Sequence, residues 1–412
     1  MADALIAGGW APSAHVRAAL RSVPRHRYTP EQKLATAYAD DLAVVTRRDG
    51  TGRATSSVSA PWLQADMIEK LRLHPGATAL EVGSGGYNAE LIAHTVGVTG
   101  HVVTVDIDPY VVHRTRRLTA EAGSGRVLVV RGDGALGAPA RHVPRGGFDA
   151  IVITHNAWDI APAWHEQLTE GGHLVVPLEI HGYTRRRPPT SRRRAARTGL
   201  DLLRLRPRPR VDGPHHPGRR PRRRRVAAAF RGRPGTRGLD EALLGVRHEA
   251  PTGVRVARGE SFETLQLYLA TRLPGFCRLA LESERDTGIA AVPGGAASAA
   301  LLGTASLAYL THTPAAVDGA EFVAHAFGPL GPELAEQLAD AVRAWDRHAR
   351  GRGYPRLTIH PATASDDDLP VGDLPVGDVL TKRSTRLVFQ WPGPDVTHRP
   401  FETDAPTIRT AS

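Results

Sequence analysis

Ala79-Leu-Glu-Val-Gly-Ser-Gly-Gly-Tyr-Asn88 is the stretch that decides the fold. Ala79 to Val82 reads as a short buried strand. Glycines follow at 83, 85 and 86, and Ala89 to Val96 then reads as a helix. Glycines at such a turn let the backbone approach a ligand, and the helix N-terminus offers unpaired N–H groups. The spacing is not that of a dinucleotide-binding turn, Gly-x-Gly-x-x-Gly, because position 88 is Asn. An acid, Glu81, stands two residues before the first glycine.

Working outward, strands and helices alternate. His101–Asp106 is a strand and Tyr110–Ala122 a helix. Val127–Val130 and Phe148–Thr154 are strands, Pro162–Leu168 is a helix, and His173–Leu178 is a strand. This alternation predicts an α/β fold with a doubly wound parallel sheet. Upstream, Val16–Ser22 has helical spacing, and so does Pro61–Leu71, with Ser59 as its N-cap. Regularity stops at Tyr183 and resumes near Leu239. A second α/β region follows, with Leu265–Ala270, a helix Pro332–Arg350 and a strand Thr385–Gln390. The expected domains are 1–182, an irregular Arg/Pro-rich segment 183–238, and 239–412. Leu369-Pro-Val-Gly-Asp373 recurs at once as Leu374-Pro-Val-Gly-Asp378, which reads as a duplication within a loop.

The second strand ends in Asp106, where a carboxylate can accept both hydroxyls of a ribose. After the third strand comes Gly132-Asp-Gly134, where Asp133 can accept an adenine amino group; alone, Asp133 is an ordinary turn residue. In register, Glu81, Gly83, Ser84, Gly85, Gly86, Asp106, Asp133 and Gly134 form one adenosine-shaped site at the carboxyl ends of successive strands. His26 and His155 read as structural or substrate-contact residues. His215-His216 lack a metal-ligand pattern, and no metal site is expected.

The net charge of +11 is not spread over the chain. Residues 185–237 hold twenty Arg, no Lys and two Asp, a net +18, so the remainder carries −7. One cysteine, Cys277, excludes an internal disulfide framework; it reads as a small buried hydrophobe, and a reducing cytoplasm is the expected compartment. No apolar run is long enough for a membrane span, and the first residues do not read as a secretory signal.

Several segments together carry a resemblance. They are Val23-Pro-Arg-His-Arg-Tyr-Thr-Pro30, Thr55-Ser-Ser-Val-Ser-Ala-Pro61, Gly132-Asp-Gly134, Phe148-Asp-Ala-Ile151 and Gln167-Leu-Thr-Glu-Gly-Gly-His-Leu-Val-Val-Pro177. In order and spacing, from about residue 10 to 180, they resemble the protein-L-isoaspartate O-methyltransferases. The glycine loop is one residue shorter than that family's usual form. The resemblance implies a Rossmann-like class I methyltransferase sheet and S-adenosylmethionine as cofactor. It also implies a peptide or protein substrate carrying aspartate or isoaspartate, and Ser59 holding the substrate carboxylate, with a helix-cap role for Ser59 left open. Leu42-Ala-Val-Val-Thr46, Gly85-Gly-Tyr-Asn88, Asn156-Ala-Trp-Asp159, Glu263-Thr-Leu-Gln-Leu267 and the long C-terminal region look like the methyltransferases of FxLD-type ribosomal-peptide clusters of actinobacteria, akin to those that tailor lanthipeptides. That narrower resemblance implies a dedicated precursor peptide; general repair of isoaspartyl proteins is the alternative. The arginine segment has three readings: a nucleic-acid arm, which the charge distribution disfavours; an arm for an acidic peptide; or a product of coding sequence read out of frame.

Overall fold

The computed structural model describes residues 1–52, 54–83, 85–180, 238–257, 260–279, 298–314, 319–369 and 378–392. The arginine segment, apart from Gly238, lies outside the described residues. So do Ser84, His215-His216 and most of the Leu-Pro-Val-Gly-Asp repeat. The described residues gather in two compact units, one of Met1–Leu178 and one holding Glu179, Ile180 and the described residues from Gly238 onward.

The first unit opens with helices α1 (Ala2–Ala7), α2 (Ala14–Ser22) and α3 (Leu34–Ala37) and an antiparallel hairpin, β1 (Val44–Arg48) and β2 (Ala54–Val58). Helix α4 (Pro61–Lys70) follows. Then come β3 (Thr78–Val82), α5 (Tyr87–Val96), β4 (His101–Asp106), α6 (Pro109–Ala122), β5 (Val127–Arg131), β6 (Phe148–Ile153), α7 (Pro162–Glu166) and β7 (Leu168–Val175). The sheet order is β5-β4-β3-β6-β7, every pair parallel. From β3 the chain winds outward to β4 and β5, then returns to the other side of β3 for β6 and β7. This reversal leaves a crevice beyond the carboxyl ends of β3 and β6, the general ligand position in open α/β sheets. The centre of the sheet is apolar on both faces, as helices on each side require: Ala79, Leu80, Val82, Ala150, Ile151, Val152 and Ile153 are all buried. Helix α5 is buried along its whole length except at His94, and its Leu91, Ile92 and Val96 share a core with Val16, Leu20, Met67 and Ile68.

Three boundaries differ from the sequence reading. Helix α5 begins at Tyr87, because Gly86 takes φ +83° and turns the chain into the helix two residues early. The cap of α4 is Ala60, not Ser59; Pro61 fills the first helical position and no side chain caps the helix. Strand β7 starts at Leu168, where the expected helix has already ended at Glu166.

The second unit is α/β in composition, but its strand pairings are antiparallel. Strands β8 (His248–Val256), β9 (Phe276–Leu279), β10 (Ser298–Gly303), β11 (Ser306–Pro314) and β12 (Ala320–Phe327) form a sheet ordered β8-β12-β11-β10-β9. Strands β13 (Arg356–Pro361), β14 (Asp378–Thr381) and β15 (Thr385–Gln390) form a second. Helix α8 (Leu239–Ala242) precedes β8, α9 (Glu263–Arg272) lies between β8 and β9, and α10 (Gly331–His348) lies between β12 and β13. Along β8, Ala250, Thr252, Val254 and Val256 are buried and their neighbours exposed, so one face of this sheet is covered. Helix α10 buries Ala335, Leu338, Ala339, Val342 and Trp345, one stripe at helical period. Cys277 is buried and unbridged in β9. No helix among the described residues is long and apolar enough to cross a membrane.

Candidate functional site

The loops after β3 and β5 are tied to the sheet at their first residues. Gly83 N–H donates to Val105 O at 2.9 Å, and Gly132 N–H to Asp106 O at 3.0 Å. Beyond β6, Thr154 N–H donates to Val82 O at 2.9 Å. Each bond continues the ladder one step past the strand, so the candidate residues leave the sheet at fixed heights.

Gly83 sits at φ +95°, and a Cβ on it would lie 2.2 Å from Thr154 Oγ1. That hydroxyl donates to the carbonyls of Val82 and Gly83, at 3.1 and 2.9 Å. Glycine is therefore required twice here, by backbone conformation and by the neighbouring threonine. Gly85 and Gly86 complete the turn, and no side chain caps α5, whose first N–H groups face the turn. Such an uncapped N-terminus beside half-exposed glycine backbone suits a polar or anionic ligand group.

The structure places Glu81 inside the molecule, with no exposed surface. Asn88 Nδ2 donates to its Oε1 at 2.9 Å, and Thr104 Oγ1 to its Oε2 at 2.5 Å. Burial pushes its carboxyl up to about 7, against the pull of these two donors. Glu81 thus links β3, the start of α5 and β4. It shapes the glycine loop from beneath and does not line the crevice, a change from the ligand contact expected of it.

Asp106, half-buried at the end of β4, accepts from Asp108 N–H at 2.8 Å through Oδ1. Asp133 is exposed, and its Oδ1 accepts from Ala135 N–H at 2.9 Å, which fixes the turn but leaves the carboxylate at the surface. A Cβ on Gly134 would lie 2.1 Å from Val82 Cγ1, so this loop packs directly on the end of β3. Trp164 Nε1 donates to Gly134 O at 2.7 Å and holds the loop from the far side.

Ser59 is half-buried, and its hydroxyl makes no hydrogen bond among the described residues. Its segment abuts the glycine loop: a Cβ on Gly85 would lie 3.4 Å from Val58 Cγ2 and 4.0 Å from Ser57 O. Arg25, fully buried, fixes that segment. It donates to the carbonyls of Ser59 and Ala37, both at 2.8 Å, and to Gln64 Oε1 at 2.6 Å, with its guanidinium 5.0 Å from the Tyr87 ring centroid. Burial lowers its pKa to about 10. Sequence reading used Arg25 only as part of a motif and passed over Gln64, Thr104 and Thr154, although the Val-Pro-Arg-His motif itself was the signal for the first. His155 is exposed beside Gly83, and His26 Nδ1 lies 2.8 Å from Tyr38 Oη. Among the described residues no cluster of His, Cys, Asp and Glu could hold a metal ion.

The family model described as protein-L-isoaspartate(D-aspartate) O-methyltransferase matches residues 1–195. The protein-L-isoaspartate O-methyltransferase of Methanococcoides burtonii is 37% identical over 161 residues, which are 39% of this chain and 74% of the relative. That of Ignicoccus hospitalis is 36% identical over 176 residues, 42% of this chain and 78% of the relative. A solved structure titled protein-L-isoaspartate O-methyltransferase is 31% identical with a TM-score of 0.39, covering 43% of this chain and 55% of that one.

Proposed function

This chain belongs to the protein-L-isoaspartate O-methyltransferase family, and on that premise we propose that it esterifies an aspartate or isoaspartate carboxylate of a ribosomally made precursor peptide. The enzyme is an S-adenosylmethionine-dependent methyltransferase. The observation that carries the site assignment is the convergence of Gly83, Asp106 and Gly134 on the ends of adjacent strands, with the Ser57-Val58-Ser59 segment packed against Gly85.

When bound, the cofactor supplies an electrophilic methyl group on a cationic sulfur. The residues present fit such a ligand. Asp106 stands where a carboxylate can accept two ribose hydroxyls, and Asp133 offers an exposed acceptor one strand further on. The backbone of Gly83, Gly85 and Gly86 and the uncapped start of α5 would receive the amino-acid portion. A substrate carboxylate with a pKa near 4 is already ionised at neutral pH, so the site needs no general base. What the protein must provide is position and exclusion of water. The unpartnered Ser59 hydroxyl donates to the carboxylate, and Arg25 holds Ser59 by its carbonyl, so that donor is fixed before substrate arrives. In the product, the following backbone nitrogen attacks the ester carbonyl. Methanol leaves and a succinimide closes.

The precursor-peptide reading is supported by the chain's extent: the family match ends at residue 195, and a folded unit continues to residue 392. The test compares kcat/KM for transfer of labelled methyl to a short L-isoaspartyl peptide and to an Asp-containing peptide encoded beside this gene. At least a hundredfold preference for the second is expected. Equal or better use of the isoaspartyl peptide would return the protein to general repair.

A further inference from the structure

Apart from the end of β2, the hairpin of β1 and β2 has no role in the reading above, yet it is tied down at two places around the nucleoside position. Its end meets the loop after β3, where Val58 packs on Gly85. Its other strand meets the junction of β4 and α6. There Arg47 Nη1 donates to both carboxylate oxygens of Asp108, and the guanidinium lies over the Tyr110 ring, 4.9 Å from its centroid. Tyr110 Oη donates in turn to Thr46 O at 3.4 Å. The strands of the hairpin are joined through side chains as well, Thr46 Oγ1 donating to Ser56 Oγ at 3.0 Å.

Asp108 is well placed to carry information inward. Its Oδ1 caps α6 by accepting from Tyr110 N–H at 2.9 Å, and its own N–H holds Asp106 Oδ1 at 2.8 Å. One continuous set of contacts therefore runs from the hairpin through Arg47 and Asp108 to the ribose acid. The base of the hairpin is anchored in the core by Val44 and Val58, which pair with each other across the strands, so the Arg47 contacts and the Tyr110 hydroxyl fasten its outer part on that side.

We propose that the β1–β2 hairpin is a strap across the ribose end of the cofactor site, and that Arg47, latched on Asp108 and Tyr110, controls how fast the nucleoside leaves. Arg47 is a positioning residue: it touches neither methyl group nor carboxylate. The latch is half-exposed, with side-chain exposures of 41% for Arg47 and 26% for Asp108, so it opens without unfolding the sheet and is open to screening by salt. Opening would also free the Asp108 carboxylate while leaving it as the cap of α6, so the ribose acid keeps its place between turnovers.

The inference rests on the cofactor assignment above, and the experiment separates the two. The full-length protein is loaded with tritiated S-adenosylhomocysteine, and release is followed after a chase with excess unlabelled compound. Arg47→Ala should release it about five- to tenfold faster, the loss of an exposed ion pair and a cation–π contact together, with the association rate changed less than about twofold. Arg47→Lys, which keeps the charge but not the fork or the stacking, should fall between. Raising KCl from about 20 to about 500 mM should accelerate release from the parent and leave Arg47→Ala nearly unchanged, because only the parent has a latch to screen. Release from Arg47→Ala within twofold of the parent, or equal acceleration of both by salt, overturns the latch while leaving the cofactor site standing. A parent that retains no S-adenosylhomocysteine at all overturns both.

Discussion

Glu81 offers the sharpest test, because its carboxyl is neither exposed nor paired with a cation. Thr104 and Asn88 donate to it, and burial still raises it from an ordinary 4.5 to about 7. Between those two values the folded protein holds a proton that the unfolded chain has released. Stability from this group is thus fully present below about pH 4.5 and is lost as pH rises through about 7. At about 1.4 kcal/mol per pH unit the loss comes to about 3 kcal/mol. Glu81→Gln removes the titration and keeps the shape. Thr104 can donate to the new amide oxygen, and once the Asn88 amide turns over, the new amide nitrogen can donate to Asn88 Oδ1, which is buried and has no partner in the parent. The measurement is urea unfolding of both proteins from pH 4 to pH 8, followed by far-ultraviolet circular dichroism. Relative to the parent, Glu81→Gln should gain about 3 kcal/mol across that window and bind S-adenosylhomocysteine within about twofold. A stability difference that does not change with pH would mean that Glu81 is not held in this environment. A large loss of binding at equal stability would return it to the ligand surface.

Asp106→Ala should weaken S-adenosylmethionine binding by about 1.5–3 kcal/mol in calorimetry, through loss of charged hydrogen bonds to the ribose; an unchanged affinity removes Asp106 from the site. Gly134→Ala should cost at least about 1–3 kcal/mol by overpacking, since its methyl would meet Val82 Cγ1, and a second change, Val82→Ala, should restore part of that in thermal melts; no rescue would mean that the loop does not pack as described. Arg25→Met leaves the carbonyls of Ala37 and Ser59 and the Gln64 amide oxygen without their donor inside the core, and should cost about 3 kcal/mol or more in urea unfolding. A loss below about 1 kcal/mol would show that water replaces the guanidinium there.

The strand-turn-helix at 79–96 and the acid closing β4 could be read directly because their signals are local. Three apolar residues in a run of four, a cluster of glycines and an acid at a strand end each depend on the chain within about ten residues of themselves. What stayed hidden depends on partners far along the chain. Gly83 reads in sequence as room for a ligand. Its other reason for being glycine, the Thr154 hydroxyl, lies 71 residues away and is set only when β3 and β6 pair. Glu81 is misread for the same reason. An acid beside a glycine loop suggests a ligand, and nothing short of the β3–β4 register shows that Thr104 stands opposite to take one of its oxygens. Ser59 failed as a cap by one position, because Pro61 fixes the first helical residue and makes Ala60 the cap. That correction strengthens the functional case. A serine that capped α4 would have its hydroxyl committed to backbone N–H groups. One displaced from the cap, held only by its carbonyl to Arg25, has a hydroxyl left to offer a substrate carboxylate.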